Sequence, residues 1–186
     1  KVNMQEFLSA SSDVNAMLLM LQKRLVQELK NKYSEFVSSN YLVFDMQDIY
    51  AHTHHPFVIL IDEWDCLFRE YENDHEAQKQ YLDFLRAWLK DKEYVALAYM
   101  TGILPVKKYG THSALNMFTE YSMTNPREMA EYFGFTEGEV KELCEEYGRS
   151  FEEMSAWYDG YELTAVENGR LKTYPMYNPK SVVDAM

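Results

Sequence analysis

The sequence has few cysteines, no long apolar run and a shortage of basic residues, and each deficit excludes a class of protein. Only Cys66 and Cys144 occur, which favours a reducing, cytoplasmic setting with two buried thiols. No apolar stretch approaches the roughly 18 residues that span a membrane, and no signal peptide is visible, so we expect no membrane association. Lys and Arg number 18 against 30 Asp and Glu, which argues against sequence-independent nucleic-acid binding by this segment.

Aromatic residues, by contrast, are plentiful, at 15% of the 186 residues. A chain of this length and composition can bury a core, and its aromatic content argues against wholesale disorder. The sequence opens at Lys1 without an initiator Met, so we expect it to begin inside a larger protein. Residues Lys1–Met4 then read as the tail of a strand that begins upstream.

The first two thirds of the sequence alternate between helical and strand patterns. Apolar spacing predicts a helix over 13–33 and a shorter one over 41–51, followed by a loop at 52–56. Short apolar runs at 57–61 and 94–100 flank a predicted helix at 74–91. This order predicts a right-handed βαβ unit in a parallel sheet with both faces covered.

After about Thr124 the sequence changes to short, charged segments with helix-capping signals. We predict a helix at 126–133, capping boxes at Thr136 with Glu139 and at Ser150 with Glu153, a hairpin around Asn168-Gly169 and a last helix from Pro179. The predicted division therefore falls between residues 1–123 and a helical subdomain with a small hairpin at 124–186.

Polar residues follow both predicted strands, and they suggest a chemical use. Asp62 and Glu63 end the first strand, and Thr101 and Gly102 end the second. Ligands of open parallel sheets gather at this edge. Asp62 is therefore a candidate Mg²⁺ residue for nucleotide hydrolysis, and Glu63 a candidate to orient or deprotonate water. Thr101 would lie within reach of the γ-phosphate.

Lys107 and Lys108 follow in the next loop and are candidates to neutralise phosphate charge. Two observations oppose this interpretation. The acids could simply cap the next element and face solvent. In addition, the pattern G-x-x-x-x-G-K-[ST], which cradles phosphates, is missing, since none of the seven glycines precedes a lysine.

Other candidate sites are weaker. His52, His54 and His55 lie in a polar stretch without a third ligand type at suitable spacing, so a solvated loop is favoured over a metal site. His112 and Ser113 are adjacent and cannot readily serve as base and nucleophile toward each other.

Several long runs resemble the bacterial AAA-ATPase-like family, whose members are P-loop ATPases that often carry a restriction-endonuclease-like nuclease domain. The runs are FVILIDEWDCLFREY, YLDFLRAWLKDKEYVALAYMTGILPVKKYGTHSALNMFTEYSM, FGFTEGEV, MSAWYDGY and YNPKSVV. The likeness extends over nearly the whole chain. It implies that Asp62 and Glu63 are the Walker B pair and that Thr101 senses the γ-phosphate.

The resemblance also implies a fold: part of a parallel-sheet P-loop NTPase core, lacking the Walker A strand and loop, with the helical C-terminal subdomain. The run from Lys107 to Asn116 resembles the family's signature loop, but the duties of Lys107, Lys108, Ser113 and Asn116 are not assigned by it. The implied parent binds ATP and Mg²⁺, switches conformation on hydrolysis and reaches nucleic acid through a separate domain.

Two functions stay open for these residues. The first is a fragment of an ATPase that binds ATP poorly by itself because it lacks the phosphate loop. The second is a degenerate, non-hydrolysing NTPase-fold module for protein interaction. A missing first strand would in addition leave a sheet edge open to self-association.

Overall fold

The computed structural model describes residues 1–105, 115–157, 160–167 and 169–186, which form two compact units, Lys1–Thr119 and Glu120–Met186. The sequence prediction placed this division between residues 123 and 124. Within the described residues, no helix is long and apolar enough to cross a bilayer.

The first unit is built on a parallel sheet of β1 (Val2–Asn3), β2 (Phe57–Asp62) and β3 (Val95–Met100), in that spatial order. Within its described residues the unit also contains the helices α1 (Met4–Ser9), α2 (Val14–Tyr33), α3 (Leu42–Thr53), α4 (Cys66–Glu70) and α5 (His75–Leu89). The mixed α/β class and the parallel pairing predicted from the sequence are confirmed.

The helix boundaries follow local capping chemistry. Asp13 accepts the backbone N–H of Ala16 to start α2, and Asp74 accepts that of Ala77 to start α5. The predicted loop at 52–56 is partly wrong, because α3 continues to Thr53 and ends at His54 in the left-handed conformation, with φ of 55°. The short helices α1 and α4 were not predicted, since each is too short to show a clear period.

The prediction that both faces of the sheet are covered is wrong for this chain. Ile59 and Ile61 are buried, but the side chains that alternate with them on β2 and β3 are exposed: Val58, Leu60, Leu97 and Tyr99. Register pairs Val58 with Leu97 and Leu60 with Tyr99, so they form one apolar patch. Both crossovers, from β1 to β2 and from β2 to β3, step in the same direction along the sheet. Right-handed crossovers of this kind place their helices on the same face, which leaves the other face uncovered.

The second unit contains more β-structure than the predicted helical subdomain. An antiparallel sheet of β4 (Phe135–Thr136), β6 (Arg170–Tyr177) and β5 (Tyr161–Glu167), in that spatial order, includes the predicted hairpin. Asn168 of the predicted turn lies outside the described residues, and Gly169 has φ of 75°. The segment Arg127–Tyr132 is a 3₁₀ helix that follows Pro126, where the sequence predicted an ordinary helix.

The remaining helices of this unit are α6 (Glu137–Tyr147), α7 (Phe151–Trp157) and α8 (Pro179–Ala185). The Thr136–Glu139 capping box is confirmed, with both reciprocal bonds present. Ser150 accepts the N–H of Glu153 at 3.2 Å, and Asn178 caps α8.

Cys66 and Cys144 are free and buried, as predicted, and burial raises the pKa of the Cys66 thiol to about 12.

Candidate functional site

The structure brings Asp62 and Thr101 into direct contact. Because β2 and β3 are parallel, with Ile61 opposite Met100, the residues that follow them emerge side by side at one edge. The backbone N–H of Thr101 donates to the Ile61 carbonyl at 2.9 Å, and the Thr101 hydroxyl donates to Asp62 Oδ1 at 2.5 Å. The sequence-predicted juxtaposition of these two side chains is therefore present.

Asp62 is held as a carboxylate. The Thr101 hydroxyl is the main cause of a lowered Asp62 pKa, and Lys1, whose Nζ lies 3.2 Å from Oδ2, adds to the effect. The Asp62 side chain remains 36% exposed, so solvent reaches it. An exposed, ionised oxygen ligand beside a hydroxyl has the chemistry that Mg²⁺ takes, usually with several retained waters.

Glu63 lies next to Asp62 but has a different partner. Its carboxylate forms an ion pair with the Arg69 guanidinium of α4. Its backbone has φ of 54°, in the left-handed region that non-glycine residues rarely adopt. Strained backbone of this kind concentrates at functional turns, where surrounding structure holds it in place.

Asp65 is a further acid that sequence reasoning missed. It is fully buried, and its Oδ2 accepts the backbone N–H groups of Ile103 at 3.1 Å and Leu104 at 2.8 Å. Its other oxygen, Oδ1, has no hydrogen-bond partner among the described residues. The sequence signal that could have indicated a role for Asp65 is the series of acids at 62, 63 and 65. Three acids in one short turn repel each other, so the third is expected to have a specific partner.

Gly102 follows Thr101 in a crowded position. A Cβ there would come within 2.5 Å of Asp65 Oδ1 and 2.7 Å of Trp64 Cδ1. The predicted close turn of the backbone at Gly102 thus has a steric reason, because no side chain fits between the two strand ends.

The remaining candidate residues either have partners elsewhere or are not described by the structure. Lys107, Lys108 and Ser113 lie outside the described residues. Asn116 accepts a hydrogen bond from Lys90 at 3.1 Å. His52 stacks on Phe36, with ring centroids 4.7 Å apart.

Two further searches of the described residues bear on the site. They contain no group of three or more His, Cys, Asp and Glu side chains that could hold a metal ion. Mg²⁺ bound with phosphates needs only one or two carboxylates, so Asp62 alone still fits that ion. A surface concavity on α5, lined by Asp83, Arg86 and three neighbours, includes none of the predicted site residues.

The first unit is thus an α/β fold in which Asp62, Glu63 and Thr101 lie at the carboxyl ends of parallel strands, where such folds bind ligands. The family model described as predicted AAA-ATPase matches residues 2–112, more than half of the 186 residues. The chain belongs to this AAA-ATPase-like family. The expected likeness of 124–186 to the family's helical region lies beyond the match and stays a prediction. No curated protein and no solved structure matches the chain.

Proposed function

We propose that this chain supplies the acidic and hydroxyl groups of an ATP-hydrolysing site in a larger ATPase. The observation that carries the proposal is the 2.5 Å hydrogen bond from Thr101 to Asp62, which joins two adjacent parallel strand ends beside Glu63. Membership of the AAA-ATPase-like family supports ATP as the ligand.

Each of the three residues has a separate role in the proposal. Asp62 holds Mg²⁺ through water, and the ion screens the phosphate charge when it is bound. Glu63 orients or deprotonates the attacking water. The Thr101 hydroxyl has a single hydrogen, which it donates to Asp62 here, so it rotates away from Asp62 to donate to the transferred phosphoryl group when nucleotide is bound. Lys107 and Lys108 neutralise phosphate charge, a role proposed from their place in the sequence after β3.

We also propose that a further strand and helix, carrying the G-x-x-x-x-G-K-[ST] loop, complete the sheet in the parent protein. Parallel sheets are almost always covered on both faces, yet Val58, at 60%, and Leu97, at 51%, are exposed here. The strand β3 ends the observed strand order, so a further strand could pair with it. In the isolated chain, the same edge and patch would favour self-association.

Three wider parts of the proposal rest on the family resemblance and the composition. They are a conformational switch driven by hydrolysis, a nuclease-like domain in the parent through which nucleic acid is reached, and a cytoplasmic location. Each is a property of the parent protein and is tested there.

A second candidate function is a non-hydrolysing module that binds another protein. The exposed patch of Val58, Leu60, Leu97 and Tyr99 favours it, because contiguous apolar surface marks interaction sites.

The variant Glu63→Gln in the full-length parent separates the two functions. Because the amide keeps the shape but cannot accept a proton from water, we expect nucleotide binding to persist and turnover to fall about 100-fold or more. Glu28→Gln, which disturbs an exposed ion pair with Arg24, is the matched control. Unchanged turnover in Glu63→Gln removes Glu63 from its role, and a parent that neither binds nor hydrolyses ATP supports the binding module.

For these 186 residues alone, Mg-ATP should raise the melting temperature little. Stabilisation by a ligand follows its affinity, and the loop that gives most phosphate contacts is missing from the sequence. Thermal unfolding with and without Mg-ATP measures this. A shift of many degrees would mean that the phosphates bind through other residues.

A further inference from the structure

Asp65 links the end of β2 to the turn that follows β3. Its Oδ2 accepts two backbone N–H groups, those of Ile103 and Leu104, which lie 38 and 39 residues further along the chain. Hydrogen bonds to a buried carboxylate are stronger than those between neutral groups. The position of the turn that carries Thr101 therefore depends on Asp65.

Arg69 links the same buried acid to Glu63. Its Nη2 pairs with Glu63 Oε2, and its Nε lies 3.6 Å from Asp65 Oδ2. A guanidinium has donors in a fixed planar arrangement, so it can set the relative orientation of two carboxylates. The Glu63 side chain is 37% exposed, and Arg69 is the partner of its carboxylate.

The residue between the two acids is also fixed. The N–H of Trp64 donates to the Thr101 carbonyl at 3.1 Å, and the Tyr81 hydroxyl donates to the Trp64 carbonyl at 2.7 Å. Trp64 and Tyr81 are both buried. The two turns are thus joined through backbone and side chains at several points, and neither can move without the other.

We propose that Asp65 and Arg69 are positioning residues of the hydrolytic reaction. Asp65 holds the Thr101 turn in register with Asp62, and Arg69, anchored on Asp65, holds the Glu63 carboxylate where water is activated. The inference rests on the proposed function, since it assigns a role within the same site.

The chemistry predicts a specific kinetic pattern. Loss of Arg69 leaves the Glu63 side chain free to rotate, and a misplaced catalytic group costs rate without costing substrate affinity. The defect should therefore be in kcat, while the nucleotide Kd stays nearly unchanged. A role in folding alone would lower the amount of active protein and leave kcat per folded molecule as it was.

The test compares Arg69→Ala, Arg69→Lys and Asp65→Asn in the full-length parent. We expect Arg69→Ala and Asp65→Asn to lower kcat about tenfold or more, with Kd within about twofold. Arg69→Lys should recover part of the rate, because an ammonium can pair with one carboxylate but cannot bridge two in a fixed plane.

Two matched controls address stability. Arg24→Ala removes an exposed Arg–Glu pair with Nε–Oε1 of 3.3 Å, and Asp45→Asn alters another fully buried acid of the same unit. Both should leave kcat unchanged. Active-site titration with a tight nucleotide analogue gives kcat per folded molecule for every variant.

The outcomes separate this inference from the proposed function. If Glu63→Gln abolishes turnover while Arg69→Ala and Asp65→Asn keep the parent kcat, the positioning roles are overturned and the proposed function stands. If Arg69→Ala raises kcat, Arg69 restrains Glu63 rather than positioning it, and the inference is again overturned. If Glu63→Gln itself keeps full turnover, Glu63 does not activate water, and the role of Arg69 in positioning it is overturned together with the role proposed for Glu63.

A second measurement does not depend on turnover. Asp65→Ala should speed amide hydrogen exchange at Ile103 and Leu104 at least about tenfold, because both N–H groups lose their acceptor. Asp45→Ala should leave these two amides unchanged. Unaltered exchange in Asp65→Ala would show that Asp65 does not hold the turn.

Discussion

Asp45 and Asp65 are both fully buried acids of the first unit, and they differ in what they connect. Asp45 Oδ1 accepts the N–H of Ser39 at 3.0 Å and its hydroxyl at 2.7 Å, six residues earlier in the chain. Asp65 instead accepts N–H groups from Ile103 and Leu104 across the sheet edge. Each acid keeps one oxygen without a partner among the described residues.

The difference shows how one physical device serves two purposes. Asp45 fixes the local chain where it enters α3, a role that needs only nearby residues. Asp65 fixes two distant turns to each other, and those turns carry Asp62, Glu63 and Thr101. A buried carboxylate costs free energy to desolvate. At Asp65 this cost is offset by hydrogen bonds that fix the geometry of the two strand ends.

The largest expected effect is on stability, in the pair Asp65→Ala and Asp45→Ala. We expect Asp65→Ala to lower the free energy of unfolding by about 3 kcal/mol and Asp45→Ala by about 2 kcal/mol, because lost charged hydrogen bonds leave buried groups unpaired. The larger cost at Asp65 follows from Arg69, whose Nε lies 3.6 Å from Asp65 Oδ2 and loses this partner as well. Urea unfolding measures both, and a larger loss at Asp45 would contradict the comparison.

A smaller effect is expected from filling the space beside Asp65. Gly102→Ala places a Cβ 2.5 Å from Asp65 Oδ1 and 2.8 Å from Trp64 Nε1, and both side chains are buried and cannot easily move. We expect a loss of about 2 kcal/mol in unfolding free energy, typical of overpacking. Gly138→Ala in α6 meets nothing nearer than 4.0 Å and is the control. It should be neutral or slightly stabilising, and equal effects of the two substitutions would show that the Gly102 turn is not tight.

The smallest expected effect is on the titration of Asp62. The Thr101 hydroxyl is the main cause of its lowered pKa, so Thr101→Val should raise that pKa toward its ordinary value of 3.8. A carboxyl group whose folded-state pKa is lowered stabilises the fold above its unfolded pKa and loses this contribution as pH falls through the folded value. The variant should therefore lose less stability on acidification.

Carboxyl NMR of Asp62 between about pH 2 and 6 measures this pKa shift. We expect it to be modest, because it comes from one hydroxyl hydrogen bond to an acid that solvent reaches. Thr53→Val is the control, because the Thr53 hydroxyl donates to the Ile49 carbonyl instead. An Asp62 pKa that is the same in Thr101→Val and in the unmodified chain would mean that the hydroxyl does not bond to it in solution.

Much of the first unit could be predicted from the sequence because its signals are local. The apolar runs at 57–61 and 94–100 end in polar residues, and parallel pairing then places Asp62 beside Thr101. The helices predicted over 13–33 and 74–91 are present as α2 and α5, because their apolar spacing is also a local signal. The contact between Asp62 and Thr101 is thus a consequence of strand order and register.

The residues that sequence reasoning missed depend on distant or short elements. The role of Asp65 depends on backbone amides 38 and 39 residues away. Arg69 contacts Glu63 because it lies in α4, which follows directly on the Glu63 turn, and this helix is too short to show an apolar period in the sequence. The exposed sheet face was missed because a continuous apolar run predicts a strand that is buried on both faces. Whether a face is buried depends instead on which side of the sheet the connecting helices pack against. The strand β4 has two residues and offers no pattern at all.

Nucleotide binding at the acidic edge is tested most directly by a crystal structure of the full-length parent carrying Glu63→Gln, grown with Mg²⁺ and ATP. We predict the metal within one water of Asp62, the γ-phosphate beside the Thr101 hydroxyl, and the residue at 63 facing the attacking water. ATP bound at another edge of the sheet, or a metal coordinated away from Asp62, would contradict the proposed site.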